Sequence, residues 1–157
     1  MLKGIHPLLS PDLLQVLASM GHGDEIAIVD ANFPAARLAR VLVELRGASS
    51  PEALDAILTV LPLDVRADPP ACTMEVIGEP EAVPEVVADF AVAFTEHRLD
   101  DCEIGRLERY AFYDRAERAF AIVRTGELRP YGNILLVKGV VDRYDRPDTL
   151  VRDELDR

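Results

Sequence analysis

Met20-Gly-His-Gly-Asp-Glu-Ile-Ala-Ile-Val-Asp-Ala-Asn-Phe-Pro34 is the stretch on which the reading of this chain turns. Glycines on both sides of His22 remove two Cβ atoms and permit positive φ, so the imidazole is expected on an open turn. Ile26, Ala27, Ile28 and Val29 form an apolar run too short for a helix, which reads as a buried strand. Asp30 falls just past its carboxyl end, where open α/β sheets carry their ligands. An extended strand separates its own two ends. His22 and Asp30 therefore meet only if the fold, or a neighbouring subunit, brings the turn across.

Upstream, Ser10-Pro11-Asp12 is a helix start: Ser10 as N-cap, Pro11 at the first helical position, Asp12 in the positive first turn. Leu13, Leu17 and Met20 share one face of that helix, and Gly21 is expected at its C′ position. Downstream, Val41, Val43 and Leu45 predict a half-buried strand. Ser50-Pro51-Glu52, with Ser50 as N-cap, opens a helix running to about Leu61, and Asp68-Pro69-Pro70 is an extended turn. Cys72–Val76 alternates as a strand, and Pro84–Arg98 has helical periodicity. Ile104–Glu108 reads as a short strand and Tyr110–Ala116 as a helical turn or two. Phe120–Val123 and Ile134–Val137 complete the strands. The alternation predicts an α/β single domain with a mixed, mostly parallel sheet flanked by helices. That domain covers residues 1–140. Residues 141–157 form a charged extension, expected to be solvated or disordered.

Composition narrows the function classes. With 157 residues, 49% hydrophobic but only 6% aromatic and no Trp, the chain has an aliphatic core and the length of one domain. A net charge of −11 argues against nucleic acid and against docking on anionic lipid. Met1–Ile5 lacks the apolar core of a signal peptide, and no uncharged run approaches a membrane span. Two distant cysteines, Cys72 and Cys102, fit small buried hydrophobes in a reducing, cytoplasmic setting better than a bridge.

Each chemistry-bearing residue has two readings. His22 is either a loop histidine at the end of a helix or a general acid/base, imidazole being the side chain that titrates near neutral pH. Asp30 either caps the segment that follows it or holds a ligand hydroxyl. Tyr131 and Asn133 around Gly132 are either a turn or a phenol and carboxamide suited to a polyhydroxyl ligand. Arg109 is either one partner in a surface ion pair or part of that site. His97 reads as a surface residue, and His6 has no evident partner. His22-Gly-Asp24 offers two metal ligands without a third, so no metal is expected. Phosphate loops, dinucleotide turns and acyl-transfer elbows are absent.

Several longer motifs go further. Met1-Leu-Lys-Gly-Ile, Leu17-Ala-Ser-Met-Gly-His-Gly-Asp-Glu-Ile and Asp30-Ala-Asn-Phe-Pro-Ala occur in order, followed by Arg109-Tyr-Ala-Phe-Tyr-Asp-Arg-Ala, Phe120-Ala-Ile-Val-Arg-Thr-Gly-Glu and Tyr131-Gly-Asn-Ile-Leu-Leu-Val-Lys-Gly. Together they resemble the L-fucose mutarotase and D-ribose pyranase family, most closely the mutarotase branch, from Met1 to Gly139. The resemblance implies a cofactor-free isomerase that interconverts the anomers of L-fucose or a related monosaccharide. It implies His22 as proton donor, with Asp30, Arg109, Tyr131, Gly132 and Asn133 on the sugar. It also implies homo-oligomers, often decameric rings, with sites near subunit boundaries. Asn32 stands where close members of that family carry His, Val41–Asp101 matches only loosely, and nothing past Gly139 has a counterpart. Pyranase activity, or sugar binding without chemistry, are the alternative expectations.

Overall fold

The computed structural model describes residues 2–141, and the charged extension beyond Val141 lies outside the described residues. Six strands form one sheet in the order β2-β5-β1-β6-β3-β4, with β1 Glu25–Val29, β2 Leu42–Leu45, β3 Ala71–Met74, β4 Ile104–Leu107, β5 Ala121–Thr125 and β6 Ile134–Val137. β1 pairs parallel with β5, β5 with β2, and β3 with β4, whereas β6 is antiparallel to both β1 and β3. The sheet is therefore mixed and mostly parallel, as expected. The reversed strand, β6, sits near its middle. It brings Asn133 to the edge where the other five strands end.

Period-two alternation divides the core. Ile26 and Ile28 of β1 face a layer made by α1 (Pro11–Ser19), α3 (Ser50–Leu58) and α4 (Glu85–Glu96), with Leu13, Leu54, Ile57 and Phe90 fully buried there. Ala27 and Val29 face α2 (Ala35–Leu38) and α5 (Arg109–Arg118), where Phe112 and Ala116 are fully buried. Helices on both faces explain why all four residues of β3 are buried, Thr73 included.

Ser10 caps α1 as predicted, its Oγ accepting the Leu13 N–H at 3.2 Å. At the other end of α1, Gly21 takes the expected C′ position after the C-cap Met20. The turn glycine with positive φ is Gly23 (+83°) rather than Gly21. The last carbonyls of α1, at Leu17 and Met20, accept the Lys138 ammonium at 2.8 and 2.5 Å, so a side chain from the end of β6 caps the helix. The N-cap of α3 is Ser49, one residue before the predicted Ser50. Ser49 Oγ accepts the Glu52 N–H while the Glu52 carboxylate accepts the Ser49 N–H at 2.7 Å, a reciprocal pair that Ser50 cannot make from inside the first turn. The helix ends at Leu58 rather than Leu61, although Leu61 is still buried. α2 was not evident in the sequence, and α5 extends to Arg118, where only a turn or two was expected. His97 is no simple surface residue: its Nε2 lies 2.8 Å from Asp55 Oδ1 and ties α4 to α3. His6 also has a partner, its Nδ1 accepting the Leu8 N–H at 3.2 Å. Cys72 is buried, Cys102 half-buried, and neither is bridged.

Phe112 packs beneath the strand ends, its ring edge-on to Phe33 at 5.9 Å. Phe112→Ala is expected to cost about 3–5 kcal/mol. Urea unfolding followed by circular dichroism measures this.

Candidate active site

Five strands end, and β6 begins, along one edge of the sheet. At that edge a cavity of about 230 Å³ is lined by Asp30, Asn32, Arg109, Tyr131 and Asn133, together with Phe33, Met74, Ile77, Tyr113 and Pro130. A space of this size suits a ligand smaller than a drug-like molecule.

Asp30 is its most constrained polar group, buried to 6% exposure. Its Oδ1 accepts the N–H groups of Asn32 and Phe33, both at 2.9 Å, which is the capping geometry the sequence allowed. Its Oδ2 accepts Asn133 Nδ2 at 2.9 Å, and its own N–H donates to Asn133 Oδ1 at 2.9 Å. The capping reading of Asp30 holds in geometry, and the same carboxylate lines the cavity. Burial pushes its carboxyl above the usual aspartate range, opposed by the two amide N–H groups and the Asn133 carboxamide. An aspartate whose pKa is raised in the folded state contributes stability below its ordinary pKa. That contribution is lost as the pH rises through the folded-state value.

Tyr131 holds a left-handed backbone at φ +64°, uncommon for a residue with a Cβ, and its carbonyl accepts the Asn133 N–H at 2.8 Å. Its hydroxyl accepts the Ile77 N–H at 3.2 Å. Gly132 is placed differently from its neighbours. It is buried under the turn, and a Cβ there would stand 2.7 Å from Glu127 Cγ and 2.9 Å from Ser50 Oγ, so only glycine lets the turn settle this deeply. Glu127 is itself buried and accepts three N–H groups of Arg129 at 2.9–3.0 Å, while Arg129 reaches Asp89 on α4 at 2.7 Å. This pairing with Arg129 holds the Glu127 carboxyl below its usual range. Arg109 opens α5 with its guanidinium 4.8 Å above the Tyr110 ring and Nη2 donating to the Tyr110 hydroxyl at 2.9 Å. Its Nε is buried and has no partner among the described residues.

His22 stands at the opposite edge. The length of β1, about 16 Å at about 3.3 Å per residue, lies between it and Asp30. The turn that carries it is locked on three sides: Gly21 N–H to Asp24 Oδ2 at 2.7 Å, Gly23 N–H to the Lys138 carbonyl at 2.8 Å, and Lys138 N–H to the Asp24 carbonyl at 2.8 Å. The imidazole is exposed, with its Nε2 3.0 Å from Asp64 Oδ2. Asp64 is oriented by donating its N–H to the Val137 carbonyl at 2.9 Å, and its Oδ1 accepts the Arg66 N–H at 3.1 Å. The Arg66 N–H, then His22, hold the Asp64 carboxyl below the usual range. Within one chain the fold brings Asp30, Arg109, Tyr131 and Asn133 together and leaves His22 apart. Asp24 is spent on Gly21, and among the described residues no three metal-ligating side chains converge.

Residues 3–141 match the model of the RbsD / FucU transport protein family. The chain belongs to the RbsD / FucU family. An L-fucose mutarotase of Actinobacillus pleuropneumoniae (serotype 5b, strain L20) is 41% identical over 140 residues, which is 89% of this chain and 97% of that protein. The crystal structure of a Streptococcus pneumoniae fucose mutarotase in complex with L-fucose superposes with a TM-score of 0.85 at 42% identity, covering 90% of this chain and 100% of that one. Bacillus subtilis RbsD, complexed with D-ribose, superposes at 0.70 with 25% identity over 90% of this chain and all of its own.

In this member of the RbsD / FucU family, Asp64, Met74, Ile77 and Tyr113 escaped the sequence reading. Asp64 lies 42 positions from His22, and no local pattern links them. Tyr113 lay inside a quoted motif, and its helical position four residues after Arg109 was the available signal. Asn133→Ala would leave both the Asp30 N–H and one carboxylate oxygen without a side-chain partner. The expected loss is about 1–3 kcal/mol. The Asp30 carboxyl should also titrate at higher pH than in the parent, because a charge-stabilising donor is gone, and carbon-13 NMR of the carboxyl reads this directly.

Proposed function

We propose that this chain is an L-fucose mutarotase, an isomerase that interconverts α and β anomers by opening and reclosing the sugar ring. The observation that carries this reading is the buried Asp30–Asn133 pair with Arg109 in the lining of one cavity of monosaccharide size, on the fold that holds L-fucose in the S. pneumoniae protein. The lower likeness to the ribose-bound RbsD places pyranose–furanose interconversion second.

In the proposed mechanism, Asp30, Arg109, Tyr131 and Asn133 bind and orient the sugar, and Gly132 contributes by the depth of its turn. His22 protonates the ring oxygen as the C1–O5 bond breaks, and a second group or a water takes the proton from the anomeric hydroxyl. The open-chain aldehyde rotates about C1–C2, and the reverse transfers reclose the ring on the other face. Asp64 orients the imidazole throughout. Positioned acid–base catalysis of this kind contributes about 10²–10⁴-fold. The mechanism calls on no cofactor or metal.

His22 and the Asp30 cavity lie at opposite edges of one sheet, so the site closes when a second copy presents its His22 turn to the cavity. Those are two different patches, and the contact is therefore heterologous, the kind that closes into rings. A decameric ring is our reading of that assembly, with residues 1–140 as the catalytic unit. Among the described residues no helix is long and apolar enough to cross a membrane, and we place the enzyme in the cytoplasm.

Saturation-transfer proton NMR on equilibrated L-fucose is the test. Magnetisation should pass between the α and β anomeric protons only with protein present, and His22→Ala should lose roughly 10²–10⁴-fold of the added rate. Mixed oligomers of His22→Ala and Asn133→Ala subunits should recover part of it, because some boundaries then pair an intact cavity with an intact imidazole. No transfer with the assembled wild-type protein would overturn the mutarotase reading, and absence of complementation would overturn the shared site.

A further inference from the structure

The lining of the cavity at the strand ends is polar with one apolar stretch. Asp30, Asn133 and Arg109 supply fixed hydrogen-bonding and charged groups, as hydroxyl recognition requires. Between Asn133 before β6 and Arg109 after β4, the end of β3 presents an apolar stretch of wall. Met74, the last residue of β3, is 6% exposed and closes that wall with a thioether. Three residues later Ile77 lines both this cavity and an adjoining cleft, and it is left 60% exposed at the mouth.

Ile77 is held in place by its backbone. Its N–H donates to the Tyr131 hydroxyl at 3.2 Å, which ties the loop after β3 to the opposite wall. Gly78 (φ +80°) and the Val76–Glu79 bridge then turn the chain away. The tether uses only main-chain atoms of residue 77, so its side chain is not needed to hold the loop. A branched aliphatic group at the rim of a polar cavity gains when a ligand or a neighbouring copy covers it. A sugar made solely of hydroxyl-bearing carbons offers little to such a wall. A 6-deoxyhexose offers the methyl group on C5.

We propose that Met74 and Ile77 form a subsite for the C5 methyl of a 6-deoxyhexose, and that Ile77 sets the preference for such sugars over those with hydrogen or hydroxymethyl there. This rests on the mutarotase reading above and deepens it. An apolar pocket discriminates one methyl-sized group by about 10–200-fold in kcat/KM.

Three sugars share the ring configuration and differ only at this carbon: L-fucose carries CH3, L-galactose CH2OH and D-arabinose H. Anomer exchange by saturation transfer, at subsaturating sugar, is measured for all three with the assembled wild type, Ile77→Ala and Ile77→Val. The wild type is expected to favour L-fucose over D-arabinose by at least about tenfold. Ile77→Ala should collapse that ratio towards parity, and Ile77→Val should restore most of it. The L-fucose to L-galactose ratio should narrow in Ile77→Ala as well. A ratio unchanged in Ile77→Ala would overturn the subsite, as would an equal fall with all three sugars, because a merely structural role lowers every rate alike. A wild type that exchanges L-fucose no faster than D-arabinose would overturn it while leaving the mutarotase reading intact. A wild type inactive on all three would overturn both.

Discussion

The structure of the site depends on one reciprocal contact, in which the Asp30 N–H donates to the Asn133 carboxamide while the carboxamide donates back to the Asp30 carboxylate. It joins the end of β1 to the beginning of β6 across a gap of 103 residues. Because β6 runs against its neighbours, its amino end arrives at the edge where the parallel strands finish. Had β6 been parallel, that edge would have received Lys138 instead. A carboxylate this deeply placed is tolerable only with its oxygens occupied, and two amides from the following turn complete the set. The same bonds that offset its desolvation aim its remaining capacity at the cavity.

Around that pair the other groups are fixed from below. Glu127, Arg129 and Asp89 form a charged strut from α4 to the turn that bears Tyr131, and the Glu127 carbonyl accepts the Ala31 N–H at 2.9 Å. Phe33, Tyr113 and Phe112 stack edge to face under the floor. Both polar and aromatic supports keep the lining rigid without ligand, so little ordering remains to be done when a sugar enters.

Local chemistry made the helices and strands readable. Ser10-Pro11 and the apolar run before Asp30 each carry their signal within a few residues. The N-cap of α3 was misplaced by one residue because two consecutive serines satisfy the same rule, and only the reciprocal bond with Glu52 separates them. α2 is a single turn with no side-chain cap, and so offers no start signal. Strand order was not readable, because it is decided by pairings between distant segments. In the site, Asp30, Arg109, Tyr131 and Asn133 came from motifs and do converge. Gly132 came from the same motif, yet its part is to leave room for Ser50 and Glu127 below the surface. That Met74 and Ile77 line the cavity is not legible in the sequence, since an apolar side chain at a strand end looks the same whether it faces core or cavity.

β6 carries one further consequence. Asn133 precedes it and holds the cavity carboxylate; Lys138 follows it and clasps both the last turn of α1 and the loop of the exposed imidazole. Four strand residues, roughly 17 Å from Asn133 to Lys138, therefore fix the spacing between the cavity and the turn of the exposed imidazole. A central strand flanked on both sides stretches very little. Any displacement of the His22 turn relative to the cavity therefore falls to the loops at the two ends and not to the strand between them.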